Sequence, residues 1–296
     1  MSKNTDIIGR FAPSPSGPLH FGSLVAATAS FLDARHRQGR WLLRMEDLDP
    51  AREPPEAADQ ILRALECHGL HWDGPVLYQS DRLDAYAEAL DELRRQGRLF
   101  ACRCSRQQIQ ADGGVYDGRC RTLGLPDAGN AIRLRVDDVR VDFTDAIQGP
   151  QSQRLLQECG DFILRRKDGL FAYQLAVVVD DAFQGVTDIV RGSDLLDSTA
   201  RQVFLQRLLG LPTPRYAHVP VAVNDLGQKL SKQHFAEALG LDDGAPALLQ
   251  ALRFLGQRPD VELMGASVND ILTWAIHHWD VQAVPKLANI RLESHS

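Results

Sequence analysis

The segment from Ile7 to Leu43 limits the possible folds of this chain more than any other. Ile7 to Phe11 is a short apolar run ended by Pro13, as a buried parallel strand is ended. The loop RFAPSPSGPLHFGS at residues 10–23 sets Pro13, Pro15, Pro18 and Gly17 ahead of a helix. In that helix Leu24, Thr28, Phe31 and Leu32 fall at helical spacing, and Gly39 supplies the stop. Trp41, Leu42 and Leu43 return as a second strand. Strand, loop, helix and strand in about forty residues make a βαβ unit, with a parallel sheet and a right-handed crossover. A ligand site is then expected beyond the carboxyl end of the first strand.

The loop has chemistry of its own. A helix N-terminus presents unpaired N–H groups and a partial positive charge, which suit a phosphate. The prolines hold the approach extended, Gly17 and Gly22 let a ligand reach the backbone, and His20 can donate to a phosphate oxygen. This is a mononucleotide cradle without a Walker A lysine; the residues alone also allow a proline-rich loop that merely caps a helix. Some 200 residues later, QKLSKQ at 228–233 places Lys229 and Lys232 three apart, in a chain with only five lysines against 28 arginines. Two lysines so spaced on a loop can clamp a polyphosphate while charge grows on a leaving group.

The 296 residues suffice for one elaborated α/β domain or two ordinary ones. A net charge of -6 offers no global case for binding nucleic acid, and the arginine-rich clusters at 35–40, 94–98 and 165–167 are expected to be solvated faces. No apolar run reaches signal-peptide or membrane-spanning length, so a soluble cytoplasmic protein with no membrane partner is expected. Five cysteines, an odd number, make a disulfide framework a poor reading. Cys102, Cys104 and Cys120 crowd together, which suggests a metal.

Helices are expected near 55–68 and 82–96, then an inserted small module across the Gly, Cys, Asp and Arg-rich stretch 101–130. Alternation resumes in AIRLRV and in FILRRKDGLFAYQLAVVV, with Lys167-Asp168-Gly169 as a hairpin turn. The apolar run Leu175 to Val179 is expected to be a central strand, and 195–209 a helix ended by Gly210. Residues 244–290 read as small helices, in which HHWD at 277–280 is structural.

Four segments carry a resemblance. PSPSGPLHFGS is similar to the HIGH signature of class I aminoacyl-tRNA synthetases in its glutamyl and glutaminyl form, and KLSKQ to the KMSKS loop. LRMEDLDPAR at 43–52 resembles the L-R-x-E-D-x-D segment, and AYQLAVVVDDAFQGVTDIVRGSDLLDST at 172–199 the second-half active-site strand and helix. The similarity covers roughly 5–240. About sixty residues follow KLSKQ, too few for an anticodon-binding domain, and this short form resembles the glutamyl-Q tRNA(Asp) synthetase family. Ser193 stands where full-length glutamyl enzymes commonly have an acid.

The resemblance implies an α/β fold: a class I Rossmann-like parallel sheet, an inserted zinc-containing α+β module and a C-terminal helical segment. It divides the chain into 1–98 and 170–222 as the two catalytic halves, 99–169 as the insert and 223–296 as the KLSKQ loop with a helical segment. It implies a monomeric ligase that activates L-glutamate with ATP and Mg²⁺ and attaches it to queuosine in the anticodon loop of tRNA(Asp). Arg10, Ser14, Glu46, Tyr173 and Arg191 would bind glutamate: the arginines take its side-chain carboxylate and Glu46 its α-ammonium. His20, Gly22, Ser23, Lys229 and Lys232 would bind ATP, with His20 and Lys232 catalytic. Cys102, Cys104, Tyr116 and Cys120 would hold a structural Zn²⁺, with Cys159 as the alternative to Tyr116. Other readings are an ordinary glutamyl-tRNA synthetase whose anticodon domain lies elsewhere, a small-molecule adenylyltransferase of the same superfamily, and a non-catalytic glutamate- or tRNA-binding regulator.

Overall fold

The structure is a computed structural model, and it describes residues 6–229, 239–240 and 244–292. The expected βαβ unit is present. Strand β1 (Ile8–Phe11) leads through the proline loop into α1 (Phe21–His36), and β2 (Arg40–Met45) returns parallel to β1 with Ile8 opposite Arg40 and Phe11 opposite Leu43. After α2 (Ala57–Cys67), the short β3 (Leu77–Tyr78) adds to β2 in parallel. Helix α1 is buried along Leu24, Val25 and Ala27–Ala34, because helices and sheet surround a sequence that is small or apolar on most sides. It lies so close to β1 that a Cβ at Gly9 would come within 3.1 Å of the Ala34 Cβ.

The middle of the chain runs through α3 (Leu83–Arg95), β4 (Leu99–Cys102), α4 (Arg106–Ala111), β5 (Ala131–Leu134), β6 (Arg140–Asp145), β7 (Gly149–Arg154), α5 (Leu155–Glu158) and β8 (Phe162–Arg165). Here β4, β5 and β8 form a small antiparallel sheet, with β5 in the centre. The second half follows as α6 (Tyr173–Phe183), β9 (Asp188–Gly192), α7 (Leu196–Leu209), β10 (Arg215–Val219), β11 (Val221–Val223), α8 (Ala245–Phe254), α9 (Val268–His278) and β12 (Asn289–Arg291). Strand β10 lies parallel between β9 and β6, and β7 closes that edge antiparallel to β6.

The Thr187 N–H donates to the Ile8 carbonyl at 2.9 Å, and the Ile8 N–H to Thr187 Oγ1 at 2.9 Å, which sets β1 beside β9. Counted from β1, the first half of the sheet grows one way and the second half the other. Their junction is a topological switch point, where the carboxyl ends of β1 and β9 leave a crevice. Two apolar cores flank the sheet: α1, α2, α8 and α9 pack in one with Phe11, and α3, α6 and α7 in the other with Ile8.

Three expectations need correction. Leu175–Val179 lies in α6, not in a strand; burial over nearly the whole run erases the period that separates a core helix from a core strand, and the returning strand is β9. The turn at 167–169 does form, with Gly169 N–H bonded to Arg166 O at 3.0 Å, but its second limb is a single bridge, Arg165 to Phe171. The C-terminal stretch is not all helical, since β12 pairs in parallel with β11. The basic clusters are largely neutralised in place: Arg35 on Asp73, Arg37 on Asp188, Arg94 on Asp91 and Asp127, Arg98 on Asp137 and Arg166 on Asp49. Among the described residues, no helix is long and apolar enough to cross a membrane.

Candidate active site

A cleft of about 510 Å³ opens at the switch point. Arg10 at the end of β1, Ser14 in the proline loop, Glu46 after β2, Tyr173 at the start of α6 and Arg191 near the end of β9 all line it. So do His20, Gly22 and Ser23 at the start of α1, and Lys229 beyond β11. Residues from 10 to 229 thus meet in one cavity because each lies at or beyond the carboxyl end of a strand or begins a helix there. Lys232 lies outside the described residues.

One wall is a charge cluster. Arg10 is buried and gives Nε to Asp181 Oδ1 at 3.1 Å, while its terminal nitrogens have no hydrogen-bond partner among the described residues. Arg44 is fully buried and reaches Asp181 Oδ1 and Gln184 Oε1, both at 2.8 Å, and Glu46 Oε1 at 3.4 Å. Although burial opposes ionisation, the charges of Arg10 and Arg44 hold the Asp181 carboxyl below the usual carboxylate range. Burial pushes Glu46 the other way, above that range, and Arg44 and Arg10 only partly offset it. Glu46 therefore pairs internally and still favours a further cation in the cleft.

Opposite stands Arg191, held on all three nitrogens. Its Nε donates to His218 Nε2 at 3.0 Å, Nη1 to Tyr173 Oη at 3.2 Å, and Nη2 to Thr199 Oγ1 at 2.9 Å. The guanidinium is thereby fixed with no carboxylate partner among the described residues, so its charge stays available to the cleft. At the mouth His20 is the N-cap of α1: its Nδ1 accepts from Ser23 N at 3.3 Å, and Nε2 lies 3.1 Å from Ser23 Oγ. Lys229 Nζ bonds Asp194 Oδ2 at 2.6 Å across the cleft.

The cysteines form a separate centre. The Sγ atoms of Cys102, Cys104 and Cys120 lie within 4.8 Å of one another, with Cys104 to Cys120 at 3.6 Å. Bonds of ~2.3 Å in a tetrahedral zinc thiolate place sulfurs about 3.8 Å apart, so the spacing fits. Tyr116 is buried beside them, its Oη accepting from Cys120 N at 2.9 Å. Cys159 is not in the cluster and packs against the second apolar core, so of the two candidates for a fourth ligand Tyr116 is the one that lies beside the three thiols. Burial and the neighbouring thiols push Cys104 up to about 11, which a divalent cation would reverse.

The family model for the tRNA synthetases class I (E and Q), catalytic domain, matches residues 6–262. The chain belongs to this family. A relative from Pseudomonas fluorescens, named "Glutamyl-Q tRNA(Asp) synthetase", is 56% identical over 289 residues, spanning 98% of this chain and 97% of its own. One of the same name from Pseudomonas aeruginosa is 54% identical over 283 residues, 96% of this chain and 97% of its own. Among solved structures, a glutamate-tRNA synthetase from Elizabethkingia anophelis superposes with a TM-score of 0.80 at 25% identity, over 98% of this chain and 68% of that one.

This class I tRNA synthetase is a ligase, and its α/β catalytic domain carries the parallel sheet described above. Several residues that complete its cleft were not singled out from sequence. Asp181 and Arg44 anchor the wall that holds Arg10 and Glu46, Asp194 receives Lys229, and His218 with Asp145 backs Arg191. A signal was present for the first pair: two consecutive acids, Asp180 and Asp181, inside an apolar run call for buried cations. None marked Asp145 and His218, which lie 73 residues apart and meet only through the pairing of β6 with β10.

Proposed function

We propose that this synthetase activates glutamate with ATP and transfers it to the queuosine base of tRNA(Asp). The observation that carries the first half is the juxtaposition, in one cleft, of two buried arginines and a carboxylate with the N-terminus of α1. Arg10 and Arg191 suit a substrate side-chain carboxylate, Glu46 its α-ammonium, and the backbone at Gly22 and Ser23 with His20 the phosphates. The α-carboxylate oxygen attacks the α-phosphorus of ATP, the bond to the bridging oxygen breaks, and pyrophosphate leaves with the Mg²⁺ that accompanies the nucleotide. A hydroxyl of the queuosine cyclopentenediol then attacks the mixed anhydride, loses its proton and expels AMP. The two Pseudomonas relatives' names support that acceptor.

For the cysteine centre the reading is a closed structural site: bound Zn²⁺ would crosslink the loop from β4 to the turn at Cys120. A Cys104→Ser protein should lose its metal by elemental analysis; full metal content would refute the assignment. The acceptor is tested with labelled glutamate, ATP and Mg²⁺ on tRNA(Asp) carrying or lacking queuosine. Label on the anticodon-loop base of the queuosine-containing RNA alone is expected. Label at the 3′ end makes the protein an ordinary glutamyl-tRNA synthetase, and activation without any transfer means a different acceptor.

A further inference from the structure

Behind Arg191 lies a buried line of polar groups that does not itself line the cleft. The Asp145 side chain, on β6, places Oδ2 2.6 Å from His218 Nδ1, on β10, and His218 Nε2 accepts from Arg191 Nε at 3.0 Å. Both His218 and Asp145 are essentially without solvent contact, at 0% and 1% exposure. Hydrogen-bond polarity then settles the tautomer. Arg191 Nε–H can only donate, so His218 Nε2 must be bare and the ring proton must sit on Nδ1, directed at Asp145. Thr199 Oγ1 lies 3.3 Å from the same Nε2, the Tyr216 ring stacks on the imidazole, and Tyr173 and Arg10 are the other ionisable groups nearby. Burial, first, and the charges of Arg191 and Arg10 keep the imidazole neutral below the usual histidine range, against the pull of Asp145.

Asp145 is itself locked. Its Oδ1 accepts from the backbone N–H groups of Ile147, Gln148 and His218 at 3.0, 2.9 and 3.1 Å, which leaves Oδ2 alone for the imidazole. We infer that Asp145 and His218 are positioning residues: together they fix the tautomer that holds the Arg191 guanidinium in the plane from which it reads the substrate's side-chain carboxylate. The inference rests on the reading of Arg191 as the carboxylate receptor.

Asp145→Asn isolates this effect with little change in shape. The three backbone donors hold the amide oxygen at the Oδ1 place, so the amide nitrogen must face Nδ1. The imidazole then has to accept there and carry its proton on Nε2, donor against donor with Arg191. The Michaelis constant for glutamate in glutamate-dependent ATP–pyrophosphate exchange should rise about 10- to 100-fold, with that for ATP and the saturated rate nearly unchanged. His218→Gln, whose amide oxygen can replace Nε2 as acceptor, should keep more glutamate affinity than His218→Phe. Unchanged glutamate dependence in Asp145→Asn, or equal losses in Gln and Phe variants, would overturn the inference, as would parallel losses in glutamate, ATP and rate. Should the variants fold poorly, ¹⁵N-histidine spectra of the unaltered protein decide: His218 protonated on Nδ1 supports the relay, and on Nε2 at neutral pH overturns it. Arg191→Lys separates the two readings. If it leaves glutamate binding intact, the receptor assignment itself falls; if it weakens binding while Asp145→Asn does not, only the relay falls.

Discussion

At the scale of single residues, the cleft asks two side chains to do two things at once. His20 caps α1 through Ser23 while lining the cleft, so His20→Ala removes both a helix cap and the proposed phosphate contact. His20→Asn keeps the cap. Both should slow glutamyl-adenylate formation by about 100- to 1000-fold, whereas only the alanine variant should lose about 1 kcal/mol in denaturant unfolding. Equal stabilities would remove the cap from this account. Glu46 is poised at a cost in stability: its carboxyl is raised above the usual range by burial, so ionised Glu46 works against the folded state at neutral pH. For a carboxyl raised on folding the sign is fixed: the penalty vanishes below the unfolded value, grows with pH through the folded value and is constant above it. Glu46→Gln should therefore unfold at higher temperature than the unaltered protein at pH 7, yet lose activation on the order of 100-fold. Glutamate affinity should fall as pH drops through the raised value, because the substrate's ammonium must expel that proton. A Glu46→Gln protein with the same pH dependence would assign the effect elsewhere. Arg10, Ser14, His20, Glu46, Tyr173, Arg191 and Lys229 were legible because each sits inside a short motif; the Asp180-Asp181 pair hinted at a buried cation, but not at which one, because Asp181 lies 171 residues from Arg10 and no local pattern links them.

Between elements, the legible and the hidden divide by burial on two sides. The βαβ unit announces itself because a proline loop and Gly39 punctuate it, whereas α6 reads as a strand because Leu175–Val178 are buried whichever way the chain turns. The cysteine centre depends on a contact between elements that sequence also conceals. Gly160, just before β8, has a φ of +64°, and a Cβ there would stand 2.4 Å from the Tyr116 carbonyl oxygen. Gly129 has a φ of +74° but open space around it. Gly160→Ala should thus cost about 1–3 kcal/mol, and by displacing Tyr116 should lower metal content by elemental analysis. Gly129→Ala, strained in backbone alone, should keep its metal. Equal metal content in both would mean that Tyr116 is not held for the centre.

Across the whole molecule, the distant end of the chain is part of the cleft's support. Strand β12 pairs with β11, the Leu292 N–H donates to the Val223 carbonyl at 3.0 Å, and the Ser193 hydroxyl donates to the Ala288 carbonyl. Arg291 binds the Asp225 carbonyl and approaches its carboxylate at 3.5 Å, in the turn that leads to Lys229. Strand β11 thus has β12 along one edge, and the turn carrying Lys229 bridges back to Val223 on the same short strand. The side chains of the proposed glutamate pocket make no bond to β12: Arg10, Arg44, Glu46 and Asp181 hang on β1, β2 and α6, and the Arg191 guanidinium is held by Tyr173, Thr199 and His218. Ending the chain after Pro285 should therefore separate the two halves of the reaction site. The Michaelis constant for ATP should rise about tenfold or more as Lys229 loses its fixed base, while glutamate binding measured calorimetrically without nucleotide stays within about twofold. Equal weakening of both would mean that β12 supports the sheet as a whole, and no weakening of either that Lys229 is held from its own side of the cleft by Asp194.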